Sequence, residues 1–383
     1  MINITNKQHC CGCAACLQKC PKQCIQLMED NEGFLYPKVD TAICVNCCLC
    51  EKVCPVKHPY DEREPIQTLG AINKKEEIRM QSSSGGIFTL LAEKVINEGG
   101  VVFGARFDEE WQVNIDYTES IQGISDFRGS KYVQARTGST YKQCEAMLKA
   151  GRKVLYTGTP CQIAGLKHYL MNEYENLITV DIACHGVPSP KVWSLYIKEH
   201  FGEKNLMTVN FRDKKQGWDT YRICFKYKDD KKYVEGQHEV SFIHYNNEYF
   251  NAFNYGLIMR PSCANCPSKH GKSQSDITIA DFWGIDKIYP GLNDNKGTSL
   301  VLINSHKGSR LIENLNFEVV ECDYKECIKY NTGLRESAKF HRKRDYFFDR
   351  YTKKKSISKF LNSTIKSPLL ERIKKRFKII MSK

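Results

Sequence analysis

One cysteine pattern occurs twice near the start of this chain and limits what the opening segment can fold into. Cys10-x2-Cys13-x2-Cys16-x3-Cys20-Pro21 is followed, thirty-four residues on, by Cys44-x2-Cys47-x2-Cys50-x3-Cys54-Pro55. Three evenly spaced thiols in a tight loop converge on one iron–sulfur cube, and the fourth, a turn later, reaches across to another. The spacing predicts two [4Fe–4S] clusters with crossed ligation. Cys10, Cys13, Cys16 and Cys54 hold the first; Cys44, Cys47, Cys50 and Cys20 hold the second. A zinc module is the competing reading, but zinc sites use two cysteine pairs parted by a longer loop. Cys11, Cys24 and Cys48 are left over and read as small core residues or as shields beside a cube.

The start MINITNKQHCCGC lacks the basic-then-apolar pattern of a secretory signal, and no apolar run is long enough to span a bilayer. Both features predict a cytoplasmic protein, where nineteen cysteines favour metal ligation over disulfides. The net charge of +13 is uneven: residues 340–383 hold fifteen Lys/Arg and three Asp/Glu, so the rest of the chain is near neutral. With a neutral body and neither zinc-finger spacing nor an RNP-like aromatic motif, a nucleic-acid partner is not expected.

Composition and pattern divide the chain into a cysteine-dense module at 1–57, a polar linker at 58–66 (HPYDEREPI), a main domain at 67–339 and a basic tail at 340–383. In the main domain, apolar runs such as VVFGARF alternate with helix-like stretches such as Ile87–Asn97. This predicts an α/β fold with a mixed, largely parallel sheet. The stretch 205–250 has the alternation of an antiparallel insertion, which makes the whole chain α+β in outline.

Four further cysteines stand where chemistry is plausible. Cys161 lies in a GTPCQ turn after one strand, and Cys184 lies at the end of the next, in DIACHGVP. If those strands are parallel neighbours, the two thiols meet at the carboxyl edge of the sheet, where α/β proteins place their sites. Cys263 and Cys266 form a CANC clip. The four thiolates suffice for a third [4Fe–4S] or a zinc; two buried cysteines and a separate structural CxxC are the alternative.

The order of a dicluster ferredoxin, SSSGGIF, RGSKYVQ, TGTPCQIAGL, CHGVPSP, FRDKKQGW, RPSCANCP and SDITIADFWG resembles the family of coenzyme F420 hydrogenase/dehydrogenase beta subunits, from Cys10 to about Ile303. The resemblance implies FAD in the main domain and a [4Fe–4S] cluster beside it on Cys161, Cys184, Cys263 and Cys266. It also implies electron transfer between iron–sulfur partners, such as a ferredoxin, and a two-electron substrate. The family includes reductases of other substrates, among them a chlorophyll derivative, so the substrate is left open.

Individual motifs carry both functional and structural readings. Ser84, Gly85 and Gly86 precede a helix, where free N–H groups suit a pyrophosphate or simply start the helix. Lys131 resembles a cofactor-contacting position, although an ordinary surface lysine has the same signature. Thr157, Gly158 and Thr159 can approach a flavin ring beside Cys161. Arg212 and Lys214, with Trp218, can hold an anionic or sugar-like substrate or form a charged turn. His185 is a candidate proton donor beside Cys184, or a structural hydrogen-bonding histidine. In the tail, Leu369–Ile380 reads as a basic amphipathic helix suited to peripheral contact with the inner face of an anionic membrane, or to docking on the body. The expected function is an iron–sulfur flavoprotein oxidoreductase; a relay subunit without its own substrate, and a redox sensor, are the alternatives.

Overall fold

Runs such as Val101–Val102–Phe103 and Val154–Leu155–Tyr156 are apolar at every position, so a strand built from them needs cover on both faces. The structure, a computed structural model, describes residues 1–202, 205–228 and 237–366. Thirteen strands form among these residues. β1 (Ile25–Glu29) and β2 (Leu35–Val39) make a hairpin in the cysteine module. The main sheet uses β3 (Gln67–Asn73), β4 (Val101–Phe107), β5 (Val113–Thr118), β6 (Val154–Gly158) and β7 (Leu177–Ile182). A separate antiparallel sheet holds β8 (Asn205–Asp213), β9 (Arg222–Lys228) and β10 (Gln237–Ile243). β11 (Ile277–Asp281), β12 (Ser299–Ile303) and β13 (Phe317–Glu321) complete the main sheet.

The eight strands of the main sheet lie in the order β13-β3-β12-β11-β7-β6-β4-β5. Its centre is parallel, from β11 through β7 and β6 to β4. Antiparallel strands flank it, β5 on one side and β12, β3 and β13 on the other. The sheet is therefore mixed, as expected, with the parallel part in the middle. Side chains alternate as the pleat requires. Val101, Phe103, Val154 and Tyr156 share a core with Tyr141, Ile163 and Leu166, while Val102 and Leu155 face Leu90, Leu91 and Val95 of the helix Ile87–Asn97.

The β-rich insertion forms where the sequence places it. Phe211, Ile223 and Phe225 bury against Trp193 and Tyr196 of the helix Pro190–Phe201. Residues 344–365 are not a tail. Phe347, Phe348, Tyr351, Phe360 and Leu361 belong to the same aromatic core, and Arg344 forms a buried two-pronged pair with Glu32 of the cysteine module. Basic composition concealed this docking, because the apolar residues are interleaved with lysines on short helices. The amphipathic stretch at 369–380 lies outside the described residues. Residues 58–66 are likewise held to the body, through Tyr60 stacked on His168 and the Ile66 N–H donating to the Ile303 carbonyl at 2.7 Å.

Candidate functional site

The sequence repeat of the cysteine module is also a backbone repeat. Gly12 and Asn46, thirty-four residues apart, have φ of 77° and 52°, and Ala14 and Cys48 have 62° and 58°. A left-handed conformation at a non-glycine residue costs about 1–2 kcal/mol, so its recurrence at matched positions marks a required loop shape. Alternating hands of this kind turn successive N–H groups into a concavity that suits anions and iron–sulfur clusters. Cys48 is thus a loop residue equivalent to Ala14. One cavity of the module is lined by Cys10, Cys13, Cys16 and Cys54, and another by Cys20, Cys44, Cys47 and Cys50. The chain thereby brings together the two crossed sets. Among the described residues no three His, Cys, Asp or Glu converge on a single ion; a cube is a wider body than an ion, and the loops fit one.

At the carboxyl edge of the parallel strands lies a much larger cavity, of about 280 Å³. Its walls come from the loops after β3, β6 and β7, as the strand order dictates, together with the end of β11 and residues 127–135 after β5. Ser84, Gly86, Lys131, Thr157, Gly158, Thr159, Cys161, Cys184 and His185 all line it. Gly85 stands just behind, with its N–H donating to Ser299 Oγ at 3.0 Å, where an added Cβ would lie 2.3 Å from the Ala71 carbonyl oxygen. The Ser130 N–H donates to Ser83 Oγ at 2.7 Å and so joins the serine loop to the Lys131 loop across the cavity. Thr159 caps the helix Pro160–Leu170 through a reciprocal box with Gln162, which fixes the turn that presents Cys161. The Thr157 hydroxyl is occupied by the Phe103 carbonyl, so that residue offers the cavity its backbone.

Lys131 faces the cavity and, among the described residues, donates to the Arg128 and Gly129 carbonyls; burial pushes its pKa down to about 7, against the opposing charge of Asp126. A half-buried cation with no carboxylate within ion-pair distance among the described residues suits an anionic ligand, and the serine loop at a helix start presents N–H groups beside it. These residues fit the pyrophosphate of a dinucleotide. His185 lines the cavity too, edge-on to Phe253 at 5.4 Å between ring centres.

Cys161, Cys184, Cys263 and Cys266 form one half-buried group, each close enough to feel the charge of others in the set. Burial pushes the Cys184 thiol up to about 12. The donor set suits a third cube. Cys11 is where reading from sequence fell short. Its thiol meets both Cys13 and Cys161, so a sulfur-to-sulfur contact chain joins the first module cavity to the third cysteine group. Cys11 corresponds in the repeat to Val45, which is 57% exposed, so one loop faces the body and the other faces solvent, a difference that the spacing alone does not report.

Arg212 and Lys214 stand apart from the other candidates. Arg212 is buried in a two-pronged pair with Asp281 and lies 4.1 Å over the Tyr221 ring. Lys214 donates to three carbonyls, those of Arg79, Ser84 and Lys296, at 2.8, 2.8 and 2.6 Å. Neither cation is free to take a substrate; both brace the cavity from behind. Trp218 packs on Trp283 at 4.5 Å and donates its indole N–H to Asp281.

Repeated thiol-bearing loops stand beside a cavity at the carboxyl edge of an α/β sheet, an arrangement that resembles those of iron–sulfur proteins. Residues 151–324 match the family model described as the C terminus of the coenzyme F420 hydrogenase/dehydrogenase beta subunit. A relative from Methanosarcina mazei, one of the subunits of F(420)H(2) dehydrogenase, is 24% identical over 180 residues, covering 45% of this chain and 51% of that protein. The match thus spans about half the length of that relative. A 7Fe ferredoxin from Hydrogenibacillus schlegelii is 39% identical over 49 residues, 13% of this chain and 56% of its own. A chain of the F420-reducing [NiFe] hydrogenase complex from Methanosarcina barkeri superposes with a TM-score of 0.45 at 18% identity, over 77% of this chain and 95% of that one.

Proposed function

We propose that this chain is an iron–sulfur flavoprotein oxidoreductase that passes electrons between a ferredoxin-like partner and a two-electron substrate. The observation that carries this reading is the convergence of Ser84, Gly86, Lys131, Thr157–Thr159, Cys161 and Cys184 on one cavity. Bound clusters supply electrons singly, and a bound flavin pairs them for a substrate that accepts two. The chain's own residues do the rest. Cys161 and Cys184 at the cavity wall, with Cys263 and Cys266 behind them, would hold a cluster; Lys131 and the Ser82–Gly86 loop would hold the dinucleotide, and Ile279, Val187 and Phe253 give the cavity an apolar wall.

Cys47 and Cys48 are exposed beside Ile43 and Val45, which gives a redox partner an apolar landing place next to the second thiol set. A cytoplasmic location, with peripheral membrane contact through residues 369–380, belongs to the same proposal and rests on the amphipathic pattern. Sedimentation with anionic vesicles tests that contact. A relay subunit is the second reading, because the Methanosarcina mazei relative is a subunit by name. Anaerobic reduction by ferredoxin, followed by flavin absorbance as candidate oxidants are added, separates the two. Reoxidation by a small molecule supports the enzyme, and reoxidation by a protein partner alone supports the relay.

A further inference from the structure

The guanidinium of Arg260 is fully buried, yet among the described residues no carboxylate pairs with it. It donates to the Cys10 carbonyl at 2.7 Å, the Leu35 carbonyl at 2.9 Å, Gln134 Oε1 at 3.0 Å and the Cys10 sulfur at 3.5 Å. Its plane lies 4.4 Å from the Tyr36 ring centre and 5.4 Å from that of Phe34. Gly12 closes the same pocket, since a Cβ there would lie 2.8 Å from an Arg260 nitrogen. Burying a charge with neutral partners alone is strongly unfavourable. The ionisable groups that face Arg260 are the thiols of Cys10 and Cys11 from the module, the Tyr36 hydroxyl, and the Cys263 thiol of the third group.

We infer that Arg260 is a positioning residue whose counter-ion is the iron–sulfur cluster on Cys10, and that it sets that cluster's reduction potential while clamping the module to the third cysteine group. The inference rests on the proposed function, because it needs a cluster on Cys10. A thiolate-ligated cube gains negative charge when it takes an electron, so a fixed cation donating to one of its sulfurs favours the reduced form and raises the potential. Sequence adjacency supplies the clamp, because Arg260 sits three residues before Cys263 and reaches the opposite side of the interface.

The test uses holoprotein purified anaerobically, with cluster signals assigned by Cys16→Ser and Cys50→Ser. In an EPR-monitored redox titration, Arg260→Gln is expected to lower the midpoint of the Cys10 cluster and leave the Cys50 cluster where it was. Arg260→Lys, which keeps the charge and loses the fork, is expected to restore part of the shift. An unmoved midpoint, or equal movement of both clusters, overturns the inference. Should Arg260→Gln fail to fold, wild-type protein labelled with [15N]arginine decides. Pulsed EPR of the reduced Cys10 cluster is expected to show coupling to an arginine nitrogen, and absence of coupling overturns the inference. Wild-type protein lacking iron and sulfide after reconstitution would instead sink the functional reading on which it rests.

Discussion

Lys214 Nζ donates to the Ser84 carbonyl at 2.8 Å and so ties the charged turn after β8 to the serine loop of the cavity. With the Arg79 and Lys296 carbonyls as its other acceptors, this ammonium holds three backbone groups at once. Lys214→Met takes the donor from the Ser84 and Lys296 carbonyls, while the Arg79 carbonyl keeps the Ser82 N–H, and is expected to destabilise the protein by about 3 kcal/mol, the scale of unsatisfied buried acceptors. Denaturant unfolding measures the loss. Flavin retention should fall with it, while the iron content of the module stays unchanged.

Gly85→Ala tests the closeness of the same loop to the sheet. The new methyl would meet the Ala71 carbonyl and the Ser299 nitrogen, both backbone atoms of paired strands that cannot step aside. A loss of about 3 kcal/mol is expected, as for an overpacked core. The variant should purify with little flavin, and thermal unfolding should show a lowered midpoint.

Lys131 gives the cavity a pH dependence. Burial depresses its pKa to about 7, so above that pH the ligand-free protein holds it largely neutral. A pyrophosphate beside it raises the pKa, so binding at pH 8 takes up a proton and affinity falls as pH rises through the new, higher value. The depressed pKa also lowers the stability of the ligand-free fold below pH 7, a penalty that fades as pH rises toward the ordinary lysine range. Calorimetry of FAD binding in buffers of different ionisation enthalpy measures the proton. Lys131→Met should abolish that uptake and weaken binding roughly tenfold, the size of one charge-assisted contact.

Arg344 and Glu32 join the segment after the main domain to the cysteine module through contacts of 3.0 and 2.5 Å. Removing one partner strands a buried charge, so Arg344→Ala is expected to cost about 3–5 kcal/mol. Limited proteolysis should then release the module first. Replacing Glu32 and Arg344 together by apolar residues should recover much of the stability.

The parts legible in the sequence were those written in local spacing. The cysteine repeat, the helix Ile87–Asn97, the strands before Cys161 and Cys184 and the antiparallel insertion all follow from patterns within a few residues. Arg212 and Lys214 were legible as cations but not as braces, because their partners Asp281 and Ser84 lie far away in sequence. Cys11 and Arg260 take their meaning from an interface between two units, which no spacing within either unit reports. The docking of Phe347 and Phe360 was hidden under the basic composition of the segment that carries them.

The central claim is that this chain holds three cubes and one flavin. Iron, zinc, acid-labile sulfide and extractable flavin should be measured on one anaerobic, reconstituted sample. About twelve irons, matching sulfide, one FAD and little zinc per chain are predicted. About eight irons with no flavin would contradict the account, leaving a two-cluster module attached to a domain whose cavity serves some other ligand.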